Sequence, residues 1–487
     1  MSEIKALLNQ SSHYFVGRII IAAASFISFP ILTRVFSVGD YGILSLITTT
    51  TLIVAAITKL GFPESIVRFY AEFKAKNQLA SLHSTFFLSS LGIGGIIGFL
   101  CIIGARLMYN SLNENIIRLV PVVALLILTS CVAAILTSYL RAEQRTKLYN
   151  VIAVIQRYGS LCLGIFFVFF IVKGLYGFFI GQMIWGILSL ILLLYVCRGW
   201  VKIGVAHFSI GIIKESMKFG FPLIWAELGH LMLNYVDRYL IQLYLGSVFV
   251  GLYTAGYNLA SYATEMVMYP VNYAMTPIYL NILVNKGEEE TKEFLGKTFR
   301  YFLLIMFAVV SGFLVIGKDL IIFLASEKYS EAAAVLAYVV IGQSIYACSI
   351  VLNNGLFIRK KTYLMTIIMA VACGLNVGLN VILIPRYGIV GAAQATLIAN
   401  IFYTIIITYY AFKEFKFRID YRSALLYLLS AGAMYLIIGG IDGGSPFKNL
   451  LAKIPAGALL YGGLIFILDR DVRGALLKMV RRSSLAT

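Results

Sequence analysis

Long apolar stretches follow one another along this chain, separated by short polar or basic breaks. A bilayer-spanning helix needs roughly 20 such residues. Runs of that kind fall near 12–32, 41–62, 82–106, 116–138, 149–172, 174–197, 219–245, 249–275, 299–324, 332–354, 362–384, 389–411, 423–440 and 450–468. The pattern predicts an all-α polytopic membrane protein of about fourteen transmembrane helices. The first run is longer than the core of a signal peptide and reads as an uncleaved span. The longest connections lie near 63–81, 198–218 and 276–298, which leaves no room for a soluble catalytic domain.

Composition agrees with that pattern. Hydrophobic residues make up 60% of the 487 residues, charged ones 13%, and the mean hydropathy is +0.89. A soluble domain is about 45–50% apolar and about 25% charged, so this chain needs lipid as its solvent. With the N-terminus inside, the inner segments hold 27 Lys and Arg residues and the outer segments 9. Such an excess is the positive-inside signature and puts both termini on the cytoplasmic side. It accounts for most of the +18 net charge without nucleic acid. The six cysteines lie in or beside apolar runs with no Cys-x-x-Cys pair, and read as packing residues.

The chain repeats itself. Val38-Gly39-Asp40-Tyr41-Gly42 separates spans one and two, and Ser247-Val248-Phe249-Val250-Gly251 separates spans seven and eight, 209 residues on. Gly174-Leu175-Tyr176-Gly177 and Gly388-Ile389-Val390-Gly391 mark a second such pair, 214 residues apart. Two six-helix halves, each with an even number of spans, share one orientation, so they form parallel repeats about an axis along the membrane normal. The expected organisation is a first lobe over 1–198 and a second over 199–412. Residues 413–487 add two spans and a basic cytoplasmic tail.

Polar residues inside the spans are arranged in stripes. At ~100° per residue, Glu227, His230, Asn234, Asp237, Arg238 and Gln242 of span seven fall within about 140° of one another, with Leu228, Met232 and Val236 opposite. Span eight carries Thr254, Asn258, Ser261, Glu265, Asn272 and Thr276 in a stripe beside Tyr257, Tyr262 and Tyr269. Such stripes either fasten helices together in a buried network or border water. A charge at mid-membrane costs ~2.5–3.5 kcal/mol, and Glu227, Asp237, Arg238 and Glu265 facing lipid would cost about 10 kcal/mol together. The sequence therefore turns them inward, toward an aqueous cavity. Glu227, Asp237 and Glu265 are the candidates for coupling to an ion, with Asp237 engaged by a neighbouring cation. Asn234, Asn258, Ser261, Asn272, Gln343 and Asn354 are candidate cavity amides and hydroxyls suited to sugars, although amides serve equally as glue between helices.

The first half holds cations in its spans and no carboxylate. Lys59 lies about three residues from the inner end of span two and is expected to snorkel to the headgroups. Arg18 and Arg157 lie roughly 9–12 Å deep at 1.5 Å per residue. They either snorkel too or form, with Arg238, a basic wall suited to a diphosphate.

Catalytic motifs are missing. Gly296-Lys297-Thr298 resembles the end of a phosphate loop, but Thr291 stands where the motif needs glycine. The histidines have no metal-ligand spacing, and no Gly-x-Ser-x-Gly elbow is present. No cofactor and no metal site is expected.

At Arg34-Val35-Phe36-Ser37-Val38-Gly39-Asp40-Tyr41-Gly42 the sequence resembles the polysaccharide-transporter branch of the multidrug/oligosaccharidyl-lipid/polysaccharide superfamily. Leu60-Gly61-Phe62 with Arg68, Phe219-Gly220-Phe221-Pro222, Asp237-Arg238 and Gly251-Leu252-Tyr253 are similar to the Wzx-type flippases of O-antigen and exopolysaccharide assembly. The resemblance implies a V-shaped, MATE-like pair of six-helix lobes with two added helices. It implies a bacterial-type cytoplasmic membrane and an oligosaccharide on a polyprenyl diphosphate carrier, moved from the inner to the outer leaflet. It further implies driving by proton or sodium exchange and service to a polysaccharide polymerase machinery. A lipid II flippase, a multidrug exporter of the related branch and a membrane enzyme are the alternatives. The cations of the first half disfavour the exporter, since they would repel cationic drugs.

Overall fold

A computed structural model describes residues 20–107 apart from Ala22, 114–474 and Leu477. Among the described residues the chain is helical, with no strand. The fourteen expected spans correspond to α1 (Ala23–Val35), α2 (Val38–Lys59), α4 (Leu79–Leu107), α5 (Glu114–Ala142), α6 (Thr146–Phe170), α7 (Gly174–Cys197), α8 (Ile210–Tyr244), α9 (Ser247–Lys286), α10 (Glu288–Ala325), α11 (Ala332–Leu352), the two arms of α13 (Thr362–Glu414), α14 (Tyr421–Gly439) and α15 (Pro446–Leu468). Two further helices, α3 (Phe62–Ala75) and α12 (Asn354–Ile358), lie between them. Ten helices among the described residues are long and apolar enough to cross a membrane. The helices α8 and α9 fall short of that measure because their polar stripes dilute the apolar residues.

Two expected loops are largely helical. The connection at 276–298 shrinks to Gly287, because α9 runs on to Lys286 and α10 starts at Glu288. Glu288, Glu289 and Glu290 occupy the first turn of α10, where carboxylates favour the positive end of the helix dipole. The 63–81 connection holds α3, whose Phe62, Ile66, Tyr70 and Phe73 are buried and whose Arg68, Glu72 and Lys74 are exposed.

The helices group into two compact units. The first contains Gly39–Tyr239 with the described residues before Phe29, and the second contains Phe29–Val38 with the described residues from Leu240 onward. In the first, the apolar face of α3 packs on Leu82 and Phe86 of α4 and on Leu136 and Tyr139 of α5. Beside this core, Tyr70 donates a hydrogen bond to Glu143, and Lys74 Nζ lies 3.1 Å from the same carboxylate. The Tyr70 hydroxyl first, then Lys74, holds the Glu143 carboxyl below its ordinary range.

In the second unit, α9 and α11 pack together, α11 packs on α13, and α10 carries α14 and α15. Arg300 on α10 donates twice to Asp469, at 2.8 Å each, once to Asp471 at 2.7 Å and once to Tyr427 at 3.1 Å. Further along α10, Asp319 accepts from Lys453 at 2.9 Å and from Asn449 at 3.0 Å. The two added helices are thus stapled to α10 at two levels. Burial pushes the Asp469 carboxyl up, but Tyr427, Arg300 and the Val472 amide outweigh it and hold it below the usual range.

The repeat is visible in local geometry. Gly174 (φ 84°) and Gly388 (φ 61°) both adopt the left-handed backbone that only glycine takes at little cost. Three residues after each, a Cβ would collide with a carbonyl oxygen. At Gly177 it would lie 1.8 Å from the Val172 oxygen, and at Gly391 2.3 Å from that of Leu383. The same constraint recurring at the same offset explains why both turns keep two glycines.

Candidate functional site

The site is built where α2 ends against α8. Leu60 (φ 48°) and Gly61 (φ 67°) turn the chain out of α2, and Pro63 sits in the first turn of α3. A Cβ on Gly61 would lie 2.5 Å from the Gly220 carbonyl oxygen, and one on Gly220 3.0 Å from that of Gly61. Ser65 reinforces the crossing by donating to the Gly61 oxygen at 3.0 Å and to the Ser216 oxygen at 3.3 Å. Two backbones can approach this closely only where both residues lack a side chain. The glycines of Leu60-Gly61-Phe62 and Phe219-Gly220-Phe221-Pro222 therefore meet, and their contact sets α2 beside α8.

Antiparallel polar pairs run up from that crossing. Lys59 Nζ donates to Glu227 Oε1 at 3.0 Å. The expected reach of Lys59 toward the headgroups is met here by a carboxylate on the facing helix that matches its charge. Farther along, Arg238 Nη1 donates to Thr49 Oγ1 at 3.3 Å, and the Thr50 and Tyr239 hydroxyls are bonded at 2.7 Å. The Arg238 guanidinium also lies over the Tyr235 ring at 4.6 Å. Sequence reasoning missed these partners; the run Thr48-Thr49-Thr50-Thr51 inside an apolar span is the signal that could have found them.

Exposure divides the stripe. Asp237 and Arg238 are buried, at 1% and 5%. Asp237 Oδ1 accepts the Arg238 backbone N–H at 2.8 Å. Glu227 and His230 are exposed and Asn234 half-buried. The Asn234 amide donates to the His230 carbonyl at 2.7 Å. Gln242 is exposed.

Of the other expected cations, Arg157 is exposed on α6 and donates to Ser25 of α1 at 2.8 Å. Arg18 lies outside the described residues. On α9, Asn258, Ser261, Glu265 and Asn272 are half-buried, and Tyr257 accepts from Gln343 of α11 at 2.8 Å. Asn354 is buried and donates to the Ile350 and Val351 carbonyls, both at 2.9 Å. Asn376 and Asn380 are fully buried, bonded to each other at 3.0 Å, and Asn376 reaches Thr396 of the other arm of α13 at 3.5 Å. Those two amides fasten helices. Among the described residues no group of His, Cys, Asp and Glu is arranged to hold a metal ion.

The fold, with polar pairs set between apolar helices, defines a multi-pass, all-helical membrane protein. The lipid II flippase MurJ in an inward closed conformation superposes with a TM-score of 0.78 at 17% identity, covering 96% of this chain and 99% of that one. An inward-facing multidrug resistance MATE transporter of the MOP superfamily gives a TM-score of 0.60 at 15% identity, covering 83% and 93%. A mutant MATE transporter from Vibrio cholerae gives 0.59 at 16% identity, covering 84% and 97%. At such identities the likeness is one of fold. No curated protein matches the chain by sequence. Residues 7–283 match the model of the polysaccharide biosynthesis protein family, and the chain belongs to that family.

Proposed function

We propose that this protein is a flippase that carries a polyprenyl-diphosphate-linked oligosaccharide, an O-antigen or exopolysaccharide repeat unit, from the inner to the outer leaflet. It lies in a bacterial-type cytoplasmic membrane with both termini in the cytoplasm and hands its cargo to a polymerase machinery. The lobes over 1–198 and 199–412 rock against each other, and exchange of protons or sodium drives the cycle. No bond in the cargo is made or broken by the protein.

The observation that carries this reading is the paired polar face of α2 and α8. An apolar helix that keeps Glu227 and His230 exposed and Asp237 and Arg238 buried within about three turns is poorly suited to lipid. It suits a path for a charged, sugar-bearing headgroup. In this scheme Arg18, Arg157 and Arg238 bind the diphosphate, because guanidinium forks match its oxygens. Asn234, Asn258, Ser261, Asn272 and Gln343 meet the sugars, and Glu227, Asp237 and Glu265 are the candidates for the coupling ion.

Proteoliposomes loaded on one leaflet with a labelled polyprenyl-diphosphate oligosaccharide test the proposal. Expected is translocation that requires a proton or sodium gradient and falls at least tenfold in Arg157→Ala and Arg238→Ala. No translocation under either gradient would overturn it. A second reading, a flippase for lipid II, is favoured by a structural likeness that extends over nearly the whole chain. Supplying lipid II in the same assay separates the two.

A further inference from the structure

The pair formed by Lys59 and Glu227 differs from the carboxylates that fasten α14 and α15 to α10. The carboxylates Asp469 and Asp319 are each held by several donors, Asp469 buried and Asp319 15% exposed. Glu227 accepts from Lys59 through one oxygen, and its side chain remains 43% exposed against 24% for Lys59. The lysine is also the last residue of α2. It therefore sits at the negative end of that helix dipole, where a cation is favoured. The chain turns out of the helix at Leu60 and Gly61 directly behind it. A lysine there has two places for its charge: the Glu227 carboxylate, or the membrane surface that a long flexible stem at a helix end can reach.

We infer that Lys59 is a tethered stand-in for the coupling cation, and that a proton or a sodium ion takes Glu227 only by displacing it. This rests on the transporter reading above and assigns a role to a residue that reading leaves idle. Electroneutrality supplies the argument. With Lys59 on Glu227 the pair carries no net charge. With a monovalent cation on Glu227 and Lys59 retained, the site would hold one uncompensated positive charge within apolar helices, at a cost of ~2.5–3.5 kcal/mol on the insertion scale. Moving the ammonium to the headgroups removes that cost. Ion binding and departure of the α2 terminus from α8 thereby become one event, and the Gly61–Gly220 crossing is the pivot that keeps the two helices in register.

The groups around the pair fit this exchange. His230 stands one turn along α8 within electrostatic reach of Glu227, and Asn234 follows it on the same face. On α5, Cys131 lies within reach of both charges, with its Sγ 3.8 Å from the Ala55 carbonyl. Lys59 is the sole ammonium among them. Deleting it should therefore act on the ion directly.

The test titrates sodium ions at fixed pH, and separately protons at fixed potassium, into the purified full chain in lipid nanodiscs. The readout is tryptophan emission, with Trp225→Phe as the control, because Trp225 lies two residues from Glu227 and is 61% exposed. A partly exposed pair is worth up to ~1 kcal/mol, so Lys59→Met should lower the half-saturating concentration of the active ion about fivefold. Lys59→Arg, whose planar fork can grip the carboxylate twice, should raise it. Glu227→Gln should abolish the response. The arm that responds tells whether the ion is sodium or the proton. Equal titrations for wild type, Lys59→Met and Lys59→Arg would overturn the inference, as would a response surviving in Glu227→Gln. Since Lys59→Arg keeps the charge and the tether, it remains informative if Lys59→Met fails to fold. No lipid-linked glycan enters this assay. A shifted titration in a chain that moves no glycan would keep the ion site and sink the flippase reading, and an unshifted one in a chain that does move glycan would do the reverse.

Discussion

Two sets of polar residues, one in each unit of this protein, serve different purposes. In the second, Asn376, Asn380, Asn354 and Asp469 are buried and Asp319 is half-buried, and the structure gives each at least one hydrogen-bond partner inside its own unit. In the first, Lys59, Glu227, His230 and Arg157 are half-buried or exposed although they sit on helices of a membrane protein. The enclosed set resembles fastening, since a satisfied buried pair holds helices in place. The open set retains unused bonding capacity and can respond to something that arrives. A polar residue in a span is thus a functional candidate when its partner is single and its side chain is open, and a fastener when several donors surround it.

Breaking a fastener should have the largest effect on stability. Removing one partner from a buried ion pair costs about 3–5 kcal/mol. Asp469→Ala leaves Arg300 facing only Asp471, Asp420 and Tyr427, so a loss of about 3 kcal/mol is expected in reversible unfolding, for example by steric trapping in bicelles. The same contact predicts a pH dependence. The Asp469, Asp420 and Glu143 carboxyls are all held below their ordinary values. Their contribution is therefore complete above the unfolded carboxyl range, near pH ~4. It fades as the pH falls through their folded values. A melting temperature that stays flat down to pH 3 would contradict those assignments.

Next in size is the crossing of α2 and α8. Gly61→Ala forces a side chain into a left-handed backbone and against the Gly220 carbonyl. That should cost about 2–3 kcal/mol and lower the yield of folded protein. Gly174→Ala, with nothing within 4 Å of its Cβ, should cost only the backbone strain of about 1–2 kcal/mol. Equal losses in the two variants would remove the close approach from the account.

The smallest effect on stability is expected at the open pair. Glu227→Gln should change unfolding free energy by no more than about 1 kcal/mol, the worth of a partly exposed pair. Transport in the same variant should lose its dependence on the ion gradient. A large stability loss with ion dependence intact would move Glu227 into the fastening class.

Much of this was legible in the sequence. Apolar runs placed fourteen spans, because the cost of exposing backbone to lipid leaves helices no alternative. The glycine offsets announced a repeat whose left-handed turns at Gly174 and Gly388 the structure displays. Periodicity also put Glu227, His230 and Asn234 on one face. Which charge meets which was not legible, since the pairing of Lys59 with Glu227 and of Arg238 with Thr49 depends on where two distant helices cross. A one-dimensional pattern carries depth and face but not partner. For the same reason Asn354 and Asn380 could not be told from cavity amides: both kinds of residue look alike until burial is known. The reach of α9 and α10 beyond their apolar runs was hidden because hydropathy reports the membrane and not the helix.

Water access to the face of α8 is the central claim, and cysteine accessibility tests it most directly. In a background with the six native cysteines replaced, single cysteines at Glu227, His230 and Asn234 would be probed in membranes with a small, charged thiosulfonate, beside cysteines at Asn376 and Asn380. The account predicts rapid modification at the first three, slowed by added lipid-linked oligosaccharide, and none at the last two. Protection of Glu227, His230 and Asn234 equal to that of Asn376 and Asn380, from both sides of the membrane, would contradict it and leave the chain without a path for a charged headgroup.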